Sequence, residues 1–168
     1  ASINNSNIHL IQISTDQVYS GQGIHKEEFA TPINIYGITK YCSELVASKT
    51  KSTILRTNYF SRSLVPDRKS FSDWLVESFS NKDKIMLFED IQFNAVHVSF
   101  LLKIIEISIN EKHIGIFNVG CKSFMSKSKF GLFLGKLLNL DTNHAIVGKS
   151  SDSKLLASRP KDMRMSIQ

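Results

Sequence analysis

The run I-H-L-I-Q-I-S-T-D, Ile8 to Asp16, decides how the chain is read. Ile8 to Ile13 is a short, nearly continuous apolar segment, which predicts a buried strand. It ends abruptly in Ser14-Thr15-Asp16. Where strands of an open α/β sheet end at their carboxyl side, ligands gather, and hydroxyls placed there can donate to a substrate oxygen. On its own a Ser-Thr-Asp run is equally a loop or cap signal.

Downstream, Ser14 to Asn34 is rich in Gly, Ser and acids and is expected to be a loop. Pro32 then precedes Ile35 to Ser48, which has helical spacing. Thr53 to Arg56 predicts a second strand, Phe71 to Phe79 a helix and Ile85 to Phe88 a strand. Val98 to Ile109 predicts a helix with Val98, Leu101, Leu102 and Ile105 on one face. Gly115 to Val119 reads as a strand. Ser126 is placed to cap a last helix with apolar positions Phe130, Phe133, Leu134, Leu137 and Leu138. Strands alternating with helices predict an α/β architecture. The strands ending at Ile13 and Arg56 are expected to be parallel neighbours, with the intervening helix as crossover.

Composition excludes several classes. The 168 residues are 42% hydrophobic and 21% charged, so disorder is not expected. Apolar stretches such as Phe100 to Ile109 are broken by Lys103 and Glu106, which excludes a membrane span. The first residues, ASINNSNIHLIQ, lack the basic start and apolar core of a secretion signal. Two cysteines, Cys42 and Cys121, make neither a disulfide framework nor a zinc site, and no metal is expected. Cytoplasm is the expected location. Net charge is +6, with residues 1–50 at −1 and the remainder at +7. The basic residues are scattered rather than gathered into a stripe, so neither nucleic acid nor a membrane surface is an expected partner.

Tyr36-Gly37-Ile38-Thr39-Lys40 adds a second candidate for chemistry. On a helix, positions i and i+4 share a face, so the Lys40 ammonium lies on the Tyr36 side, where a cation favours the phenolate. Tyr-x3-Lys alone occurs by chance on many helices. Its combination with the Ser-Thr strand end, the acidic loop and Pro32 carries more weight.

That linked set resembles the extended short-chain dehydrogenase/reductase superfamily of sugar-nucleotide enzymes, and within it the dTDP-4-dehydrorhamnose reductase branch. ISTDQVYSG (Ile13–Gly21), PINIYGITKYCSE (Pro32–Glu44) and ILRTNYF (Ile54–Phe60) are similar to that branch's stretches, in collinear order. AVHVSFLLKIIEI (Ala95–Ile107), GIFNVG (Gly115–Gly120) and SRP (Ser158–Pro160) follow in the same way. The resemblance implies the C-terminal part of a Rossmann-type parallel sheet plus a small α/β substrate lobe. Residues 1–60 would form the catalytic half of the Rossmann-like domain, and 61–168 the substrate-binding lobe and C-terminal elements. It implies Thr15, Tyr36 and Lys40 as catalytic residues. Ser14, Tyr36 and Lys40 would contact NADPH or NADH, and Asp16, Gln17, Asn58, Asn118 and Arg159 a nucleotide-diphosphate sugar. Thr15 would polarise the substrate carbonyl, Tyr36 would be the general acid, and Lys40 would ease proton release and hold the nicotinamide ribose. Asn118 and Arg159 would face one cleft beside Asn58. The implied activity is reduction of the 4-keto group of a nucleotide-linked deoxysugar, in dTDP-rhamnose and surface polysaccharide biosynthesis. A homodimer through the Tyr36 helix is implied for the full-length protein, with Leu45 and Val46 partly covered by the missing half or by the second chain.

Departures from the pattern matter. Gln17 stands where the 4,6-dehydratases place a Glu beside the Asp, which removes a proton acceptor and argues against elimination. Epimerase or dehydratase activity, or nucleotide-sugar binding without catalysis, are the alternatives. Ser99 replaces an Asp after V-H-V, and His97 is expected to be a helix-end residue. The family's glycine-rich turn for the cofactor pyrophosphate has no counterpart. Gly21 and Gly23 are followed by Lys26, and Gly131 and Gly135 lie inside a helix, where close packing is their expected role. The chain therefore reads as the C-terminal part of a longer reductase, expected not to bind NAD(P)H by itself.

Overall fold

A computed structural model describes residues 7–65, 67–153 and 158–167. The residues before position 7, part of the segment read above for a secretion signal, lie outside this description.

β1 (Leu10–Ile13) and β2 (Ser52–Thr57) pair in parallel, Leu10 opposite Ser52 and Ile13 opposite Leu55, with α1 (Ile35–Ala47) between them in the chain. This is the predicted β-α-β unit. The Ser14–Asn34 segment, expected to be loop throughout, contains one 3-10 turn, Asp16–Val18. All six residues of β2 are buried. A strand buried on both faces is normal for the centre of a parallel sheet, yet this one carries Ser52, Thr53, Arg56 and Thr57. The polar cargo is accommodated because Arg56 meets Glu44 of α1 (2.6 Å, both side chains 1% exposed).

β3 (Tyr59–Phe60) leads to α2 (Phe71–Ser80), which opens on a capping box between Ser70 and Asp73. β4 (Ile85–Phe88), β5 (Gln92–Phe93) and β6 (Val96–His97) follow. α3 (Val98–Glu111) is N-capped by the His97 imidazole, whose Nδ1 accepts from the Ser99 amide. His97 is thus the helix-end residue the sequence suggested. β7 (Gly115–Val119), from beyond residue 60, pairs in parallel with β2 and gives the sheet order β1-β2-β7. β8 (Met125–Ser126) pairs antiparallel with β5, α4 spans Lys127–Leu137, and β9 (Ala145–Gly148) pairs in parallel with β4.

Two helix faces differ from expectation. On α3 the buried residues are Leu101 and Ser108, with Ile104 and Ile105 partly covered, while Leu102 faces solvent. On α4 the inward face is Ser128, Phe130, Gly131 and Gly135, whereas Phe133, Leu137 and Leu138 are exposed. The reason is steric. A Cβ on Gly131 would lie 3.1 Å from Leu87 and one on Gly135 2.4 Å from Thr142, so the glycines bring the α4 backbone against its neighbours. The apolar cluster there contains Leu75, Phe79, Leu87, Ile91, Phe93, Phe130 and Met163.

Candidate active site

The site forms at the carboxyl ends of β1 and β2, where the backbone stops hydrogen-bonding along the sheet and side chains take over. Thr15 is buried and N-caps the 3-10 turn, its Oγ1 accepting from the Gln17 amide (3.2 Å) and donating to Asp16 (3.3 Å). Asn34 caps α1 by accepting from the Gly37 amide (2.8 Å), and Pro32 lies just upstream. Gly37 is required here: a Cβ would sit 2.4 Å from the Gln17 carbonyl oxygen. The Thr15–Gln17 turn is therefore seated directly on the first turn of α1, which carries Tyr36.

Tyr36 is half exposed, and its hydroxyl makes no hydrogen bond among the described residues. Lys40, one turn later, donates to the Ile13 carbonyl at 2.6 Å, so its ammonium reaches back to the end of β1. Ser14 has a partner other than the expected ligand. Its buried hydroxyl donates to Glu44, whose carboxylate also accepts from Arg56 Nε (3.1 and 3.2 Å) and Nη2 (2.6 Å). Arg56 Nη1 completes its bonding to the Tyr19 hydroxyl (2.8 Å) and the Glu27 carbonyl (2.9 Å). Burial opposes the Arg56 charge, but Glu44 and Tyr19 hold its proton more firmly than in water.

Asn58 donates to Asp16 at 2.7 Å. Burial pushes the Asp16 carboxyl up to about 6, against the bonds from Asn58 and Thr15 and the positive field of Lys127. Gln17, Asn58 and Arg159 line one cavity of about 460 Å³ together with Trp74, Lys127 and Met163. That volume lies in the range of small-molecule sites. Asn34 ties the arrangement together, donating to Gln17 (3.3 Å) and to the Ser158 carbonyl (3.1 Å) beside Arg159. Arg159 is exposed and forms no ion pair among the described residues.

Asn118 does not join them. Its Oδ1 accepts from the Tyr19 hydroxyl (2.7 Å), and its Nδ2 donates to the His25 (3.2 Å) and Ser166 (3.3 Å) carbonyls. It borders a different cavity, between α3 and β7, with Phe100 and Ile104. The expectation that Asn118 faces the Asn58 cleft is corrected. β7 sits on the far side of β2 from β1, and an asparagine at its end stitches loops together.

Sequence reasoning missed Lys127 and the aromatic wall from α2. Lys127 is the first residue of α4, its Nζ 4.5 Å from the Phe71 ring centre and 3.9 Å from that of Phe93. Burial brings its ammonium down to about 8, with Asp16 holding it up and Arg159 pressing it lower. One signal was legible: a lysine at the first position of a helix opposes the helix dipole, an unfavourable choice unless something else holds it.

Over residues 1–168 the sequence matches the family described as the RmlD substrate binding domain. The chain belongs to that family. No curated protein matches it. Among solved structures, RmlD-type relatives superpose closely. A dTDP-4-dehydrorhamnose reductase from Bacillus anthracis, in complex with NADP, is 23% identical with a TM-score of 0.87, over 95% of this chain and 57% of that one. The ortholog from Clostridium acetobutylicum is 22% identical with a TM-score of 0.83, over 94% of this chain and 56% of that one. The fold extends to a UDP-glucuronic acid 4-epimerase from Bacillus cereus, in complex with UDP-glucuronic acid and NAD, at 20% identity and a TM-score of 0.77. It shares 95% of this chain and 52% of that one. The chain thus spans a little over half the length of these structures. The family and the Rossmann-type α/β fold read from the sequence are both borne out. Among the described residues no helix is long and apolar enough to cross a membrane, and no cluster of His, Cys, Asp or Glu would hold a metal ion.

Proposed function

We propose that this RmlD-type chain carries the proton-donating and substrate-binding side of an NAD(P)H-dependent sugar-nucleotide reductase, with dTDP-4-dehydrorhamnose as the substrate type. The observation that carries the reading is the seating of the Thr15–Gln17 turn on the Tyr36 turn of α1, with Lys40 reaching the end of β1. Next to it lies a cavity bordered by two cations, Lys127 and Arg159.

The residues fit the nicotinamide end of the cofactor. Tyr36 has a free hydroxyl, and Lys40 has donors beyond the one given to Ile13. Among the described residues no glycine-rich turn opens a helix for the pyrophosphate. The reduced nicotinamide, when bound, supplies hydride to the carbonyl carbon. The Thr15 hydroxyl, whose one proton goes to Asp16 here, turns it to the carbonyl oxygen of a bound substrate, Tyr36 gives that oxygen its proton, and the product is the alcohol. Ser14 serves as an anchor: through Glu44 and Arg56 it fixes the strand end from which Thr15 projects. Gln17 supplies an amide and no second carboxylate, which favours reduction over elimination. Leu45 and Val46, exposed on α1, support association of two copies through that helix.

The test is oxidation of NADPH or NADH by the full-length gene product with dTDP-4-dehydrorhamnose. Tyr36→Phe is expected to lower turnover by about 10²–10⁴-fold while leaving cofactor affinity near that of the parent. Unchanged turnover in Tyr36→Phe would overturn the assignment.

A further inference from the structure

Lys127 is an expensive residue with no anionic partner among the described residues. Its ammonium lies over the rings of Phe71 and Phe93 and makes no hydrogen bond or ion pair among the described residues. Asp16, the carboxylate that acts on it, is already engaged by Asn58 and Thr15 and does not come within ion-pair distance. A buried cation normally pairs or loses its proton. This one borders the cavity shared by Gln17, Asn58 and Arg159, and a second cation, Arg159, presses on it. Two cations on one cavity repel each other until an anion lies between them. Beside it, Phe71 stacks on Trp74 at 5.9 Å and 22°, and Trp74 offers a partly exposed flat face to the same cavity. A cavity lined by two cations with an aromatic face beside them matches a planar base joined to phosphates.

We infer that Lys127 is a ligand-binding residue that, with Arg159, seats the diphosphate of a nucleoside diphosphate in this cavity. The inference rests on the proposed function for its substrate class and assigns the anion-binding role to a residue far from the Tyr36 motif. The aromatic clamp holds the ammonium in place, so little side-chain freedom is lost on binding. The groups facing Lys127 are Asp16 from the β1–α1 connection and Arg159 from the C-terminal segment. With the Lys127 ammonium titrating near 8, affinity for the anion falls as pH rises through that value.

The experiment is calorimetric titration of the 168-residue chain with dTDP, and with uncharged thymidine as control, at pH 7 and 9. Lys127→Met is expected to weaken dTDP binding by roughly tenfold or more and to leave thymidine binding unmoved. Lys127→Arg should restore part of the loss. Lys129→Met, on the exposed side of the same helix, should bind dTDP as the parent does. Near-ultraviolet circular dichroism confirms that each variant is folded. A folded Lys127→Met that binds dTDP within about twofold of the parent would overturn the inference, as would a parent chain that does not bind dTDP at pH 7. Neither readout involves hydride transfer. A reductase assay that fails while Lys127-dependent dTDP binding persists would refute the proposed reaction and leave this site standing.

Discussion

Two charge systems, one at Glu44 and Arg56 and the other at Asp16 and Lys127, behave in opposite ways. Around Glu44 and Arg56 every strong donor and acceptor is matched: Ser14, Tyr19 and the Glu27 carbonyl complete the pair, and Arg56 holds its proton firmly. At Asp16 and Lys127 the charges act on each other without meeting, and burial pushes both toward neutrality, to about 6 and about 8. The first arrangement is a scaffold that fixes the end of β1. The second keeps an unmatched cation on a cavity wall, where a ligand can match it. Charge burial alone does not mark a functional site; an unmatched buried charge beside a cavity does.

The largest effect is expected at the scaffold. Arg56→Leu leaves the Glu44 carboxylate buried without its cation and is expected to cost about 3–5 kcal/mol in urea unfolding. A loss below about 1 kcal/mol would show the network to be dispensable. The next effect concerns pH. The Asp16 carboxyl is raised in the folded state, so its contribution to stability is fully present below its ordinary value near 3.8 and is lost as pH rises through about 6. Stability should therefore decline over that window by on the order of 3 kcal/mol from this group, and Asp16→Asn should flatten the decline. The smallest effect sharpens the contrast. A double-mutant cycle of Asp16→Asn with Lys127→Met should return a coupling of about 1 kcal/mol, and the double variant should be no less stable than either single one. An equal coupling at both pairs would erase the distinction between them.

What could be read in the sequence follows from how local each signal is. β1, α1 and β2 were legible because apolar runs and a proline act within a few residues. The strands β3, β5, β6 and β8 are two residues long, too short for any period to appear. The apolar face of α4 was misjudged because hydropathy gives weight to Phe133 and Leu137, while the close packing expected of Gly131 and Gly135 is what turns the helix inward. Thr15, Tyr36 and Lys40 were found because their spacing is local. Lys127 and Trp74 come from distant helices, and only tertiary packing brings them to Asn58 and Gln17. Asn118 was misplaced for the converse reason: a position at a strand end does not reveal which side of the sheet its strand joins.

The most direct test is a nuclear magnetic resonance titration of the Lys127 ε-position, with and without dTDP. The expected midpoint is about 8 in the free protein, moving upward when the diphosphate is bound, because the anion favours the charged form. A midpoint at the ordinary lysine value of about 10.4, unmoved by dTDP, would mean that Lys127 is a solvated surface charge and that the cavity was not built around it.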